Sequence, residues 1–367
     1  RSILSTALIF LASGLIFRNV TGGTAPADSL VANTATLALV ATLYTDGLRV
    51  RPSAKGWRLP GLALLIGLPL TLVLVAVLGR TLLGLSVVEA LLVGAVLSPT
   101  DPVFASALIR RKEVPRRLQH LLSVESGLND GLALPFVLVL LHLASGDDVG
   151  LLGLMAEVGL GLGIGLAVPA ALLAFERTPL VATSRGYRPL LALGIGLLLF
   201  AVSEWSGANE FLAAFTGGAV VGAFGGDISE RFREAGELLS EVLKVAAVFV
   251  FATLIVPSSI TSVGLAGAAF AVFTLFVARP FALALALPRS ELSRQEWVTA
   301  AWFGSRGLAS VVYGLLMVNA AVPGSIELFH LVAVVVALSM ILHSSSDILF
   351  VRWFFAPKSQ AVSPAGE

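Results

Sequence analysis

Apolar residues in this chain come in long blocks, not in strict alternation. Blocks of roughly 16 to 26 residues recur from end to end, close to the ~20 that a helix needs to cross a bilayer. Twelve are read: 2–17, 29–48, 59–79, 87–109, 121–143, 150–174, 187–205, 208–225, 239–256, 262–287, 296–320 and 326–351. The pattern predicts an all-α integral membrane protein of about twelve spans. It leaves no room for a separate soluble domain before the polar tail at 352–367. One connector, 227–241, is amphipathic and mixed in charge, and is read either as a short interfacial helix leading into 239–256 or, equally, as a solvated connector.

The polar turns fix an orientation. Basic residues gather after every second block: Arg49, Arg51, Lys55 and Arg58; then Arg110, Arg111, Lys112, Arg116 and Arg117; then Arg177, Arg185 and Arg188. Arg231 and Arg233, Arg289 and Arg294, and Arg352 and Lys358 continue the series. The other turns hold Arg18 and Arg80 among Asp147, Asp148, Glu204, Glu210 and Glu327. The positive-inside rule then sets both ends of the chain in the cytoplasm.

Composition narrows the class. Hydrophobic residues make up 57% of the 367, and the mean hydropathy is +0.93. Charged residues are 13%, about half the share usual in a soluble domain. A net charge of +1 gives no electrostatic case for nucleic acid. The absence of cysteine excludes disulfides and thiolate chemistry. His120, His142, His330 and His343 lie near block ends and are read as interfacial side chains, not metal ligands. The chain opens on Arg1 and an apolar run at once, which is read as a start inside a longer native sequence and not as a signal peptide.

Charge inside the blocks is where chemistry is expected. The fourth block carries S-P-T-D-P at Ser98–Pro102, where Pro99 and Pro102 predict an opened helix. The eleventh carries G-S-R-G at Gly304–Gly307. Interrupted helices at matching depth in two halves point to a transport site. Blocks 59–79, 87–109 and 121–143 form one triplet, and 262–287, 296–320 and 326–351 another of opposite orientation. Their breaks would cross near the midplane, where partial charges at the helix ends need compensation. Asp101 and Arg306 are placed to supply it.

The fifth block carries E-S-G-L-N-D. Ser126, Asn129 and Asp130 share one helix face, Glu125 lies on its edge, and Leu132, Phe136 and Val139 form the apolar opposite. Asp130 is the candidate ion-binding carboxylate, because desolvation favours its neutral, protonated form over the charged one. A dehydrated Na⁺ needs several hard oxygens. Asp130, Thr100, Ser126 and carbonyls freed by the break supply such a set. Proton and cation then compete for one acid. Glu125 is expected to pair with Arg306 or Arg279, since an unpaired buried charge is costly. Asp46 is read as an interfacial charge beside Arg49, and Lys244 as snorkelling from one turn inside its block.

These motifs resemble the monovalent cation/proton antiporter superfamily, and within it the NhaP-type branch shared with the animal sodium/proton exchangers. The resemblance runs from T-D-G-L-R at 45–49 to the last block. It implies thirteen spans, the first not represented here, and no cofactor. It implies a core of 59–143 and 262–351 that carries the ion by an elevator motion. A dimerisation scaffold of 2–48 and 150–256, in a homodimer in a bacterial inner membrane, completes it. It places the family's ion-site pair on Asn129 and Asp130, its Thr-Asp on Thr100 and Asp101, and its core arginines on Arg279 and Arg306. Glu125 and Ser126 match its helix residues, and Asp46 its cytoplasmic funnel acid. An Asn before the Asp implies electroneutral exchange. Lys244 matches no pattern of the family.

Two other classes fit these residues less well. An intramembrane aspartyl hydrolase using Asp101 and Asp130 lacks a second catalytic motif. A cation channel would need a filter of repeated carbonyl turns, which the sequence lacks.

Overall fold

Proline and glycine divide the apolar blocks into helices of unequal length. The computed structural model describes residues 6–21, 28–50, 56–101, 111, 113–146, 150–176, 178, 188–255, 257–287, 292–320 and 322–355. Every regular element among them is helical. We label them α1 (Thr6–Val20), α2 (Asp28–Gly47), α3 (Arg58–Leu83), α4 (Val87–Leu97), α5 (Arg116–Ser145), α6 (Gly150–Glu176) and α7 (Arg188–Ser206). There follow α8 (Glu210–Phe224), α9 (Asp227–Leu254), α10 (257–286), α11 (Arg294–Trp302), α12 (Leu308–Asn319) and α13 (Ser325–Phe350).

Five stretches are long and apolar enough to cross a membrane by themselves: Arg58–Leu83, Arg116–Ser145, Leu152–Glu176, Thr261–Ala286 and Ser325–His343. The other apolar helices are shorter. Two of them are short because α4 stops at Leu97 and the eleventh block is split into α11 and α12 by the non-helical 303–307. Pro102 and the rest of the fourth block, the basic residues Arg110 and Lys112, the acids Asp147 and Asp148, and the tail after 355 lie outside the described residues.

The amphipathic connector 227–241 is not a separate interfacial helix. It runs without interruption into the ninth block as α9. This overturns the reading of Lys244 as a residue near a helix end.

Local sequence sets several starts and bends. Ser86 and Glu89 form a reciprocal capping box at the start of α4, and Ser293 and Glu296 form another at α11. A single π-turn widens α3 at Ala63–Gly67 and α10 at Thr274–Ala278. Each is followed two residues later by a proline, Pro69 or Pro280. Proline lacks the N–H and collides with the carbonyl four residues back, and a wider turn relieves both faults.

Helices approach closely where a side chain is missing. A Cβ on Gly218 would stand 2.1 Å from the carbonyl oxygen of Tyr44, and one on Gly222 2.6 Å from that of Leu48, so α8 lies directly on α2. Gly161 and Gly165 do the same for α6 against α8. This small-residue spacing is how helices pack where no hydrophobic drive exists between them. Two packing groups result. In one, α3, α4, α5, α10, α11, α12 and α13 contact one another; in the other, α1, α2, α6, α7, α8 and α9 do. They meet where α2 touches α5 and α12, α9 touches α12, α6 and α8 touch α5, and α1 touches α13.

Candidate functional site

The two breaks lie against each other. The Asp101 backbone N–H donates to the Ser305 carbonyl at 2.8 Å, and the Ser305 hydroxyl donates to the Asp101 carbonyl at 2.9 Å. The two non-helical segments are thus hydrogen-bonded to each other. The Arg306 guanidinium, 1% exposed, donates from Nη1 to the carbonyls of Ser98 (2.7 Å) and Pro99 (3.1 Å), which α4 leaves open. The Asp101 carboxylate accepts from the Leu308 N–H at the start of α12 (3.3 Å). A cation at a helix C-terminus and an anion at an N-terminus oppose the local partial charges. Ser339 of α13 anchors the second break by accepting from the Arg306 N–H at 2.8 Å.

The glycines of G-S-R-G are there for space. A Cβ on Gly304 would fall 1.8 Å from Cδ of Arg279, and one on Gly307 2.2 Å from Cβ of Asp101.

Arg306 does not pair with Glu125. That acid forms a two-pronged ion pair with Arg279 of α10, at 2.7 Å and 3.0 Å, with both side chains buried. Of the two arginines open from sequence, the one on α10 is the partner. The forked guanidinium matches the carboxylate geometry, which a buried pair needs.

Next to this pair is an oxygen-rich cluster. The Asn129 amide donates to Thr100 Oγ1 at 2.6 Å, and Thr100 Oγ1 is 3.2 Å from Ser126 Oγ. All three residues are buried. Asn129 Oδ1 is buried and has no hydrogen-bond partner among the described residues. Such an orphan acceptor calls for a ligand or an ordered water. Asp130 follows Asn129 on the same inward face of α5, is 5% exposed, and has its backbone carbonyl held by the Tyr313 hydroxyl at 2.9 Å. Leu132, Phe136 and Val139 on the far side are exposed. Among the described residues, no group of three or more His, Asp or Glu is arranged to hold a metal ion. The oxygens here are one carboxylate with hydroxyls and an amide, a set suited to a weakly held monovalent ion.

Three residues depart from expectation. Asp46 is 2% exposed, with Arg49 Nη1 3.5 Å from Oδ1. It keeps its expected neighbour but is buried within the protein. Arg49 also reaches Glu237 of α9 at 3.4 Å and crosses over Gly127 of α5. Lys244 does not snorkel. It is 8% exposed, and its Nζ lies 3.9 Å from Asp101 Oδ1. His343 is buried at 2%, with Nδ1 2.7 Å from the Ser339 carbonyl oxygen, and is no interfacial side chain. Sequence marks Ser305 only as a member of G-S-R-G, and does not mark Tyr313 or Ser339. Lone hydroxyls in apolar helices are common, and only the crossing tells which of them meet it.

Known proteins resemble the chain over most of its length. A family model described as "Sodium/hydrogen exchanger, transmembrane" matches residues 1–353. A K(+)/H(+) antiporter NhaP2 of Shewanella sp. (strain ANA-3) is 28% identical over 358 residues, 92% of this chain and 61% of that protein. An Na(+)/H(+) antiporter ApNhaP of Aphanothece halophytica is 28% identical over 253 residues, 63% of this chain and 47% of its own length. The chain thus spans about three fifths of the NhaP2 relatives it matches. The solved sodium proton antiporter MjNhaP1 of Methanocaldococcus jannaschii shares the fold, with a TM-score of 0.73 at 18% identity, covering 95% of this chain and 92% of that one. With the match running over nearly its whole length, this multi-pass membrane chain belongs to the sodium/hydrogen exchanger transmembrane family.

Proposed function

We propose that the chain is a secondary antiporter that exchanges a monovalent cation, Na⁺, Li⁺ or K⁺, for H⁺ at Asp130. The observation that carries this is the cluster itself. Thr100, Ser126 and Asn129 join their polar groups at the opened end of α4, one amide oxygen among them is left without a partner among the described residues, and the buried Asp130 is the next residue of α5. A bare carboxylate removed from water must be neutralised. A proton does so by forming the acid, and a dehydrated cation does so with help from Thr100, Ser126 and Asn129 Oδ1. The two cannot bind together, and mutual exclusion couples their opposite movements. With one acid exchanging one positive charge for another, the cycle is electroneutral.

In this reading 59–143 and 262–351 are an inverted-repeat core that moves as an elevator against a scaffold of 2–48 and 150–256, in a homodimer with both ends in the cytoplasm. The meeting of two helix groups along α2 and α9 supports a sliding boundary there. Asp101 and Arg306 hold the crossing, Glu125 and Arg279 brace it, and Asp46 lines the approach. The relatives named for K⁺ and for Na⁺ frame the choice of cation.

The test is proton flux in proteoliposomes loaded with a pH dye, driven by imposed Li⁺, Na⁺, K⁺ or Rb⁺ gradients. The wild type moves protons only when a cation gradient is present. Asp130→Asn folds, elutes as the wild type does, and moves none. Cation-driven flux persisting in Asp130→Asn removes the assignment.

A further inference from the structure

The exchange chemistry above makes no use of Lys244, although it lies within the charged cluster. It stands on α9, in the opposite packing group from the broken helices. Among the described residues, four charged groups act on it. Asp101 of the first break is the ion-pair partner at 3.9 Å; Asp46 of α2 and Asp130 of α5 are the other acids in its field; Arg49 is a like charge, itself engaged by Asp46 and by Glu237 of α9. One carboxylate thus pairs with the ammonium, and those of Asp46 and Asp130 add to the field it feels, with Thr100 of the hydroxyl cluster next in sequence to Asp101.

We propose that Lys244 is a tethered counter-cation of the transport site, which weakens the hold of the pocket on a mobile cation and so sets its apparent affinity. This rests on the antiporter reading. The reasoning is electrostatic. A cation entering at Asp130 and Thr100 meets the attraction of Asp130, Asp101 and Asp46, and the repulsion of the Lys244 ammonium. In a dry site such interactions fall off slowly with distance. Without the lysine, the pocket gains a net negative charge and releases its cation reluctantly. A purely structural pair on a packed helix would serve no such end, since apolar residues of similar volume replace buried ion pairs at little or no loss. The pair also links the two helix groups, α9 on one side and the α4 break on the other. Entry of the ion and movement of the core would therefore act on the same contact.

The test compares wild type with Lys244→Met and Lys244→Arg in the cation-driven flux assay. It is run at a pH alkaline enough that the wild-type KM for cation no longer falls with further alkalinisation, so that proton competition does not mask the change. Lys244→Met is expected to lower KM about tenfold, equal to about 1.4 kcal/mol, and to slow kcat because release becomes harder. Lys244→Arg keeps the charge and holds KM within about twofold of wild type. If Lys244→Met reconstitutes poorly, melting temperature against NaCl and KCl concentration in detergent gives the same comparison, with half-maximal stabilisation at lower salt than wild type. An unchanged or raised KM in Lys244→Met, with only kcat or yield reduced, overturns the proposal and leaves a structural lysine. A wild type without any cation-driven flux overturns the antiporter reading instead.

Discussion

Gly307 decides where Asp101 can sit. A Cβ there would lie 2.3 Å from the Asp101 Oδ2 that accepts from Leu308 N–H, with the backbone around it already committed to the crossing. Gly307→Ala therefore moves the acid off the start of α12. An anion at a helix N-terminus contributes roughly 0.3–1 kcal/mol, up to ~2 when partly buried. The expected outcome is a melting temperature lower by a few degrees and cation-driven flux down at least tenfold. Wild-type flux in Gly307→Ala would show that this close fit is dispensable. At this scale the spacing of Ser126, Asn129 and Asp130 was readable as one helix face, because a 3.6-residue repeat is local. The partner of Glu125 was not, because Arg279 and Arg306 are both basic, both interior, and separated only by which helix each rides on. Lys244 was misread for a different reason. Its distance from a helix end depended on 227–241 being continuous with the ninth block, and mixed charge hid that continuity.

Among elements, the two arginines have different kinds of partner, and this predicts different rescue. Arg279 satisfies a carboxylate; Arg306 satisfies the carbonyls of Ser98 and Pro99. Breaking a buried ion pair by removing one member costs about 3–5 kcal/mol, mostly because the other charge is stranded. Arg279→Met should destabilise the protein strongly in detergent melts, and adding Glu125→Gln should recover much of the loss. Arg306→Ala should also destabilise, but Glu125→Gln should not recover it, because helix-end carbonyls cannot be neutralised by substitution. Equal rescue of both would mean that Arg306, too, acts through Glu125. The expectation that Arg306 strands an acid when removed gives way here to one about stranded carbonyls. The breaks themselves were legible from Pro99 and from Gly304 and Gly307. Two further matches between the triplets were available in the sequence: the S-x-x-E starts of α4 and α11, and Pro69 and Pro280 beyond the π-turns. They support the proposed inverted repeat from local chemistry alone.

For the whole molecule, the elevator proposal requires the two helix groups to slide, and the boundary offers a place to stop them. Gly131 of α5 faces Phe215 of α8, whose ring Cγ lies 2.6 Å from where a Cβ on Gly131 would be. Cysteines at both positions would have their Cβ atoms no more than about 4 Å apart, within reach of the disulfide bond, whose Cβ atoms lie ~3.5–4.5 Å apart. The chain contains no cysteine, so the pair would be the only thiols present. Replacing Phe215 removes the ring that would otherwise collide. Gly131→Cys/Phe215→Cys is expected to transport when reduced, to lose nearly all flux when oxidised, and to regain it on reduction. Each single variant should be insensitive to oxidant. Block sequence alone could mark the long apolar helices, since hydropathy is a local count. It could not identify this contact, because which helices of two groups touch is decided by small residues acting at a distance along the chain. If the oxidised pair, shown to be crosslinked by mass spectrometry, still exchanges cation for proton at the reduced rate, the groups do not slide at this boundary. The ion must then cross by local rearrangement of the two breaks, with α5 and α8 fixed.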